Sequence, residues 1–266
     1  MNRNNLKKLL CRQIKINTTP INRVYNVSIT RLPREQLNIK YITVKPTIPI
    51  GIDLRSKFPP VFDQGNLGSC TANALCGIVA YDNPKLIGSR LFLYYNERKL
   101  ENDIPDDSGA LLSDGVKCLL TYGICSEKEW SYNISKFAVK PPQSCYNNAL
   151  KHKAITVEHI NNNLTCMKNA LVAKCPFVVA ILVYESFETI TVTRTGIVPM
   201  PNTVTEKLLG GHAIVCVGYD DTKQYWIMRN SWGSSWGDNG YFYLPYAYLL
   251  DSKLTSDLWT ICKIQV

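Results

Sequence analysis

Gln64-Gly-Asn-Leu-Gly-Ser-Cys70-Thr-Ala-Asn-Ala-Leu-Cys-Gly-Ile-Val79 divides into two parts of different character. Gly65-Asn66-Leu67-Gly68-Ser69 is built from turn formers. From Cys70 onward, apolar residues fall at Ala72, Ala74, Leu75, Ile78 and Val79, with no proline before Pro84. That pattern predicts about three turns of buried helix opening at Cys70. Further helical patterns lie at 90–100, 112–122 and 163–174. Beyond Pro176 the character changes. The runs 177–183, 213–218, 225–229 and 241–244 are short, rich in Val, Ile and aromatics, and separated by Gly, Asn or Asp, as strands are. Helices first and strands second predict an α+β chain with a helical half and a sheet half.

With 266 residues, the chain is long enough for one large domain or two fused lobes around a proper core. Its 45% hydrophobic and 19% charged residues exclude a disordered polypeptide. The longest apolar runs, such as 176–183, fall far short of the roughly 20 residues that span a bilayer, so no transmembrane segment is expected. The net charge of +9 is unevenly placed. Residues 1–50 hold ten Lys or Arg against the single acid Glu35, whereas 51–266 balance 20 basic with 20 acidic groups. Residues 1–48 therefore read as a basic lead segment, ending in the proline-punctuated Lys45-Pro46-Thr47-Ile48-Pro49, with one or two short strands or a brief helix. Such a segment suits contact with nucleic acid or an anionic membrane, a detachable piece, or a solvated basic arm. The apolar stretch near Met1 is broken by Arg12 and Gln13, too early for a secretory leader, which points to a cytoplasmic or particle-packaged protein. In that setting the ten cysteines are expected as free thiols.

Three elements carry chemistry. A thiol at the first turn of a buried helix sits at the positive end of the helix dipole, which favours the thiolate. A lone Cys is more often core, but Cys70 has a glycine-rich approach and Gln64 six positions earlier. The Gln64 side-chain N–H and the Cys70 main-chain N–H form a natural oxyanion hole. Second, Leu208-Leu-Gly-Gly-His212-Ala-Ile-Val-Cys-Val-Gly218 sets a His at the start of an apolar strand. Of three histidines, His152 and His159 lie in polar surroundings without a partner motif, so His212 is the base by position and elimination. Third, Trp226-Ile-Met-Arg-Asn230-Ser-Trp232-Gly-Ser-Ser-Trp236 supplies an amide, Asn230, to accept the His212 N–H, and an indole, Trp232, to shield that bond from water.

These motifs resemble the papain family of cysteine peptidases across residues of about 50 to 266. Gly51-Ile-Asp53-Leu-Arg55 is similar to the start of such domains. Asp107-Ser-Gly109-Ala-Leu-Leu-Ser-Asp-Gly115 with Tyr122-Gly123 is similar to the family's substrate-binding glycine region. His212 follows Cys70 at the family interval of roughly 130–150 residues. The resemblance implies a papain-like two-lobed fold, a mainly helical lobe and a sheet or barrel-like lobe with the active-site cleft between them. It also implies a peptidase, in all expectation an endopeptidase, that works through an acyl-enzyme on peptide or protein substrates and needs neither cofactor nor metal. Cys70 would be the nucleophile, held as a thiolate over a wide pH range, with His212, Asn230 and Gln64 completing the catalytic set. Gly109 would pair with substrate backbone, and Ala213 would floor the pocket for the side chain second from the cut. Two departures stand out: Leu67 occupies a position where the family has a disulfide cysteine bracing the active-site loop, and Thr71 replaces an aromatic. Both are similar to a bacterial, archaeal and giant-virus branch. On this reading 49–266 is the peptidase domain, and residues 1–48 stand where the family carries an inhibitory propeptide, packed on the cleft and trimmed near 47–50. The alternative is a catalytically silent papain-fold binding or structural protein with a basic N-terminal anchor.

Overall fold

The computed structural model describes Arg23, Tyr25, Val27 and residues 47–265. The expected strands or helix of the lead segment, and its basic residues other than Arg23, lie outside the described residues. Helix α1, Cys70–Asp82, forms the spine of the helical half. Every residue from Cys70 to Ala80 is buried, as expected of a helix that is apolar all round. It stops at Asp82 because Asn83 precedes Pro84 and adopts extended backbone. Helix α2, Arg90–Leu100, begins where the Ser89 side chain accepts the Phe92 N–H at 3.1 Å. Helix α3, Leu112–Thr121, packs close to both. A Cβ on Gly115 would fall 2.3 Å from a Leu75 methyl and 2.4 Å from a Glu97 carboxylate oxygen, so only glycine fits. Two further helices, α4 (Gln143–Ala149) and α5 (Leu164–Val172), follow.

The other half is an antiparallel sheet of seven strands: β1 (Gly51–Asp53), β2 (Ala154–His159), β3 (Phe177–Tyr184), β4 (Leu208–Asp220), β5 (Tyr225–Arg229), β6 (Tyr241–Pro245) and β7 (Thr255–Ile264). Their order is β2-β7-β3-β4-β5-β6, with β1 paired to β4. Side-chain alternation sorts the sheet between two cores. Val178, Ala180, Ala213, Val215 and Val217 meet α1 and α3, while Phe177, Val179, Ile181, Ile214 and Cys216 meet Trp226, Trp232 and Phe242. The long strand β4 serves three partners. Its residues 208–216 pair with β3, 218–220 with β1, and 215–220 with β5, so among the described residues the stretch before Val215 has no strand on the β5 side. Among the described residues no helix is long and apolar enough to cross a membrane.

The α+β architecture matches the expectation, as do the strands β3, β4, β5 and β6 and the helices at 70, 90, 112 and 163. Strands β1, β2 and β7, helix α4 and two short helices, α6 (Ile190–Thr195) and α7 (Tyr246–Leu250), lie beyond the expected elements. Elements of five to seven residues are too short to display a helical period. Strand β7 is disguised by Asp257, which sits at φ 53° where the register to β3 shifts. The nine described cysteines are all free thiols.

Buried Arg229, on β5, secures the chain leading to Gln64. Its guanidinium donates to the carbonyls of Pro59 (2.8 Å) and Pro60 (2.7 Å) and to the Tyr241 hydroxyl (3.1 Å). Burial pulls its pKa down, yet these acceptors satisfy it. Arg229→Met is expected to cost about 3 kcal/mol, because it removes the charged donor that these three oxygens share. Urea unfolding checks this, and a loss under about 1 kcal/mol would contradict the bracing role.

Candidate active site

The loop 64–69 is fixed to both halves before Cys70 begins α1. Gln64, 2% exposed, donates its N–H to the Ser231 carbonyl at 2.9 Å, accepts the Ser231 hydroxyl at 2.6 Å, and donates its side-chain amide to the Leu67 carbonyl at 3.0 Å. One amide hydrogen of Gln64 remains for another acceptor. Beside Leu67 the loop is braced by polar contacts. The Asp107 carboxylate accepts the Gly68 N–H at 3.0 Å and the Tyr94 hydroxyl at 2.5 Å, tying the loop to the segment before Gly109. Gly109 itself, at φ 81°, donates its N–H to the Tyr94 hydroxyl at 3.2 Å.

His212 stands opposite, near the start of β4. Its Nε2 lies 2.8 Å from the Asn230 Oδ1, an oxygen that also accepts the Ser231 N–H at 2.8 Å. A main-chain N–H can only donate, so the facing Asn230 atom is oxygen and His212 must donate through Nε2. That leaves Nδ1 as the basic nitrogen, buried and without a hydrogen-bond partner among the described residues. Trp232 stacks on the imidazole, with centroids 4.8 Å apart and planes at 20°. Cys70 shares a buried core with Ala213, the residue next to His212 on β4. The other histidines are engaged elsewhere: His159 edge-on with Trp259, His152 with the Gln265 carbonyl.

The site is covered by part of the chain itself. Tyr25 meets the His212 ring edge-on at 6.1 Å and Trp232 at 6.0 Å. The Arg23 guanidinium lies 3.9 Å from the Trp232 centroid and pairs with Glu188 at 2.5 Å. Val27, 6% exposed, donates its N–H to the Gly211 carbonyl at 3.2 Å along the stretch of β4 without β5. Gly210 and Gly211 make the approach possible: a Cβ on them would fall 2.4 Å from the Tyr25 carbonyl and 2.2 Å from the Val27 carbonyl. Val27 belongs to the same core as Cys70 and Ala213, and Ala213 is 1% exposed.

This enclosure sets the protonation of the pair. Burial, foremost, pushes the Cys70 thiol up to about 12, against the hydrogen bond from Ala213. Burial likewise lowers His212 to about 4, although the Asn230 bond favours its charged form. In the covered site, then, the groups are a thiol and a neutral imidazole. That differs from the thiolate expected at the helix N-terminus: desolvation outweighs the dipole while Tyr25, Arg23 and Val27 are seated.

Behind Cys70 lies a buried carboxyl that the sequence reading missed, because Asn96-Glu97-Arg98-Lys99 looks like a solvated helix face. Glu97 is 0% exposed and accepts the Thr71 hydroxyl at 2.8 Å. Burial, reinforced by Glu101 and Asp114, pushes its pKa up to about 8. A carboxyl raised on folding costs nothing while it is protonated in both states. Between its unfolded value of about 4.3 and its folded value, stability falls as pH rises, by on the order of 1.4 kcal/mol per unit. Glu97→Gln should flatten that slope in urea unfolding between pH 5 and 8; an unchanged slope would assign it to other groups.

A model of the papain family of cysteine proteases matches residues 48–255, and the chain belongs to that family. A peptidase C1-like protein of Acanthamoeba polyphaga mimivirus is 42% identical over 241 residues, covering 83% of this chain and 77% of its own length. Xylellain, a cysteine protease from Xylella fastidiosa, superposes with a TM-score of 0.80 at 34% identity, over 90% of this chain and 95% of its own. Procathepsin L 3 of Tenebrio molitor shares the fold, with a TM-score of 0.68 at 20% identity, over 90% and 75%. The chain is thus a papain-type hydrolase acting on peptides or proteins, and the silent alternative is not favoured.

Proposed function

We propose that the chain cleaves peptide bonds with Cys70 as nucleophile, His212 as base and Asn230 as the group that orients the ring. The observation that supports this most is a His212 whose Nε2–H is held by Asn230 and whose Nδ1 has no partner among the described residues, with Cys70 in the same core as the adjoining Ala213. The Sγ proton passes to Nδ1, and Sγ attacks the scissile carbonyl. The oxyanion is met by the Cys70 N–H and the remaining Gln64 amide hydrogen. His212 then protonates the leaving amine, and the acyl-enzyme is released when the same nitrogen activates water. Gly109 and Ala213 line the acyl side of the cleft, Gly109 through its main chain. Trp232 keeps water from the His212–Asn230 bond.

Residues 49–266 are the working peptidase domain on this reading, and the lead segment 1–48 is its internal inhibitor, removed near 47–50. Arg23, Tyr25 and Val27 support that role, because they occupy the ground a substrate needs beside His212. Arg23 commits its charge to Glu188 and Trp232, which favours this reading over an anchor for nucleic acid or an anionic surface. Uncovering rehydrates the pair and lets the proton move from Sγ to the ring. That transfer takes up no proton from solvent.

Mass spectrometry of the chain mixed with a peptide ester tests the chemistry. The proposal expects an acyl adduct on Cys70 that decays as product appears; turnover with the adduct on another residue would contradict it.

A further inference from the structure

The contacts around Arg23 describe a binding site as well as a cover. Its guanidinium lies 3.9 Å from the Trp232 centroid and 5.9 Å from that of Trp236, and it pairs with Glu188 Oε2. Glu188 ends the short 3-10 turn Glu185–Glu188 after β3, and its other oxygen, Oε1, is buried without a hydrogen-bond partner among the described residues. A flat cationic fork therefore finds an indole face, one carboxylate oxygen already matched, and a second still open. That combination recognises arginine above lysine, since guanidinium both stacks and forks whereas ammonium is a point charge. The same Trp232 is stacked on His212, so the cation and the base contact one ring.

We propose that Glu188 and Trp232 form a specificity subsite for a basic side chain of the substrate, arginine foremost, on the leaving-group side of the cut. Arg23 stands in for that side chain while the lead segment is seated. The side follows from the contacts: Val27 lies with Cys70 and Ala213, whereas Arg23 lies on Trp232, the indole stacked on His212, and near Trp236. This inference rests on the reading of Cys70 and His212 as the working pair.

The test uses the full chain carrying Arg23→Ala and Tyr25→Ala, and peptides that differ only by arginine or norleucine at the first two positions after the cut. The arginine peptide is expected to be turned over with kcat/KM at least ~10-fold higher. Glu188→Gln should bring that ratio to about 2 or below, and Glu188→Lys should turn it in favour of a glutamate peptide. Equal turnover of the two peptides, or an arginine preference that survives Glu188→Gln, would overturn the subsite. Affinities of the same peptides for the chain further carrying Cys70→Ala separate the two readings. If no peptide is cleaved, the peptidase chemistry fails, and a ~10-fold affinity ratio that depends on Glu188 still upholds the subsite, while a ratio of one overturns it.

Discussion

Cys70→Ala abolishes peptide hydrolysis, with kcat falling by about 10⁵-fold or more. Removing the nucleophile of a cooperating hydrolase site typically costs on the order of 10⁶ in kcat, because the remaining base has nothing to activate. What survives reflects only the oxyanion donors and substrate binding. The fold itself should barely notice, since Cys70 is a buried small hydrophobe at a helix N-terminus and alanine is a good helix former. Unfolding of the variant within about 1 kcal/mol of the parent makes the lost activity chemical. A loss of less than about 100-fold would mean that another group attacks the substrate.

Arg23→Ala with Tyr25→Ala raises turnover of peptides by roughly 30- to 100-fold. The two side chains supply a cation–π contact, an ion pair and two edge-on aromatic contacts. Together these hold the segment by about 2–3 kcal/mol, allowing for the partial exposure of Glu188. Losing that much shifts the balance between covered and open chain by the stated factor, since about 1.4 kcal/mol is tenfold. Steady-state assays on a small peptide read the change. Equal activity of the double variant and the parent would show that these residues do not stand in the substrate's way. A fall would show that they support the site.

Much of the working architecture is legible in the linear sequence because its signals are local. The glycine-rich approach and the apolar run after Cys70 announce a buried helix, and Gly-Gly-His212 announces a strand that carries a histidine near its start. Asn230 and Trp232 adjoin in sequence and so fall together on His212. What escaped is long-range. Ser231, between two residues that the reading singled out, holds Gln64 through contacts 167 positions apart. Arg23 finds Glu188 across 165 positions, and nothing near either residue signals a partner. Asp107 braces the Cys70 loop with hydrogen bonds, a contact visible only once the loop and Tyr94 are in place. The protonation of Cys70 and His212 is likewise a property of enclosure: a helix N-terminus argues for thiolate, and burial favours the thiol.

The measurement that bears most directly on the central claim is labelling of the full chain, carrying Arg23→Ala and Tyr25→Ala, with an epoxysuccinyl thiol-peptidase probe. The adduct is mapped by mass spectrometry, with His212→Ala in the same chain as the comparison. A working Cys70–His212 pair predicts a single adduct on Cys70, formed within minutes, that disappears with His212. No adduct on Cys70, or one that forms equally fast without His212, would contradict it.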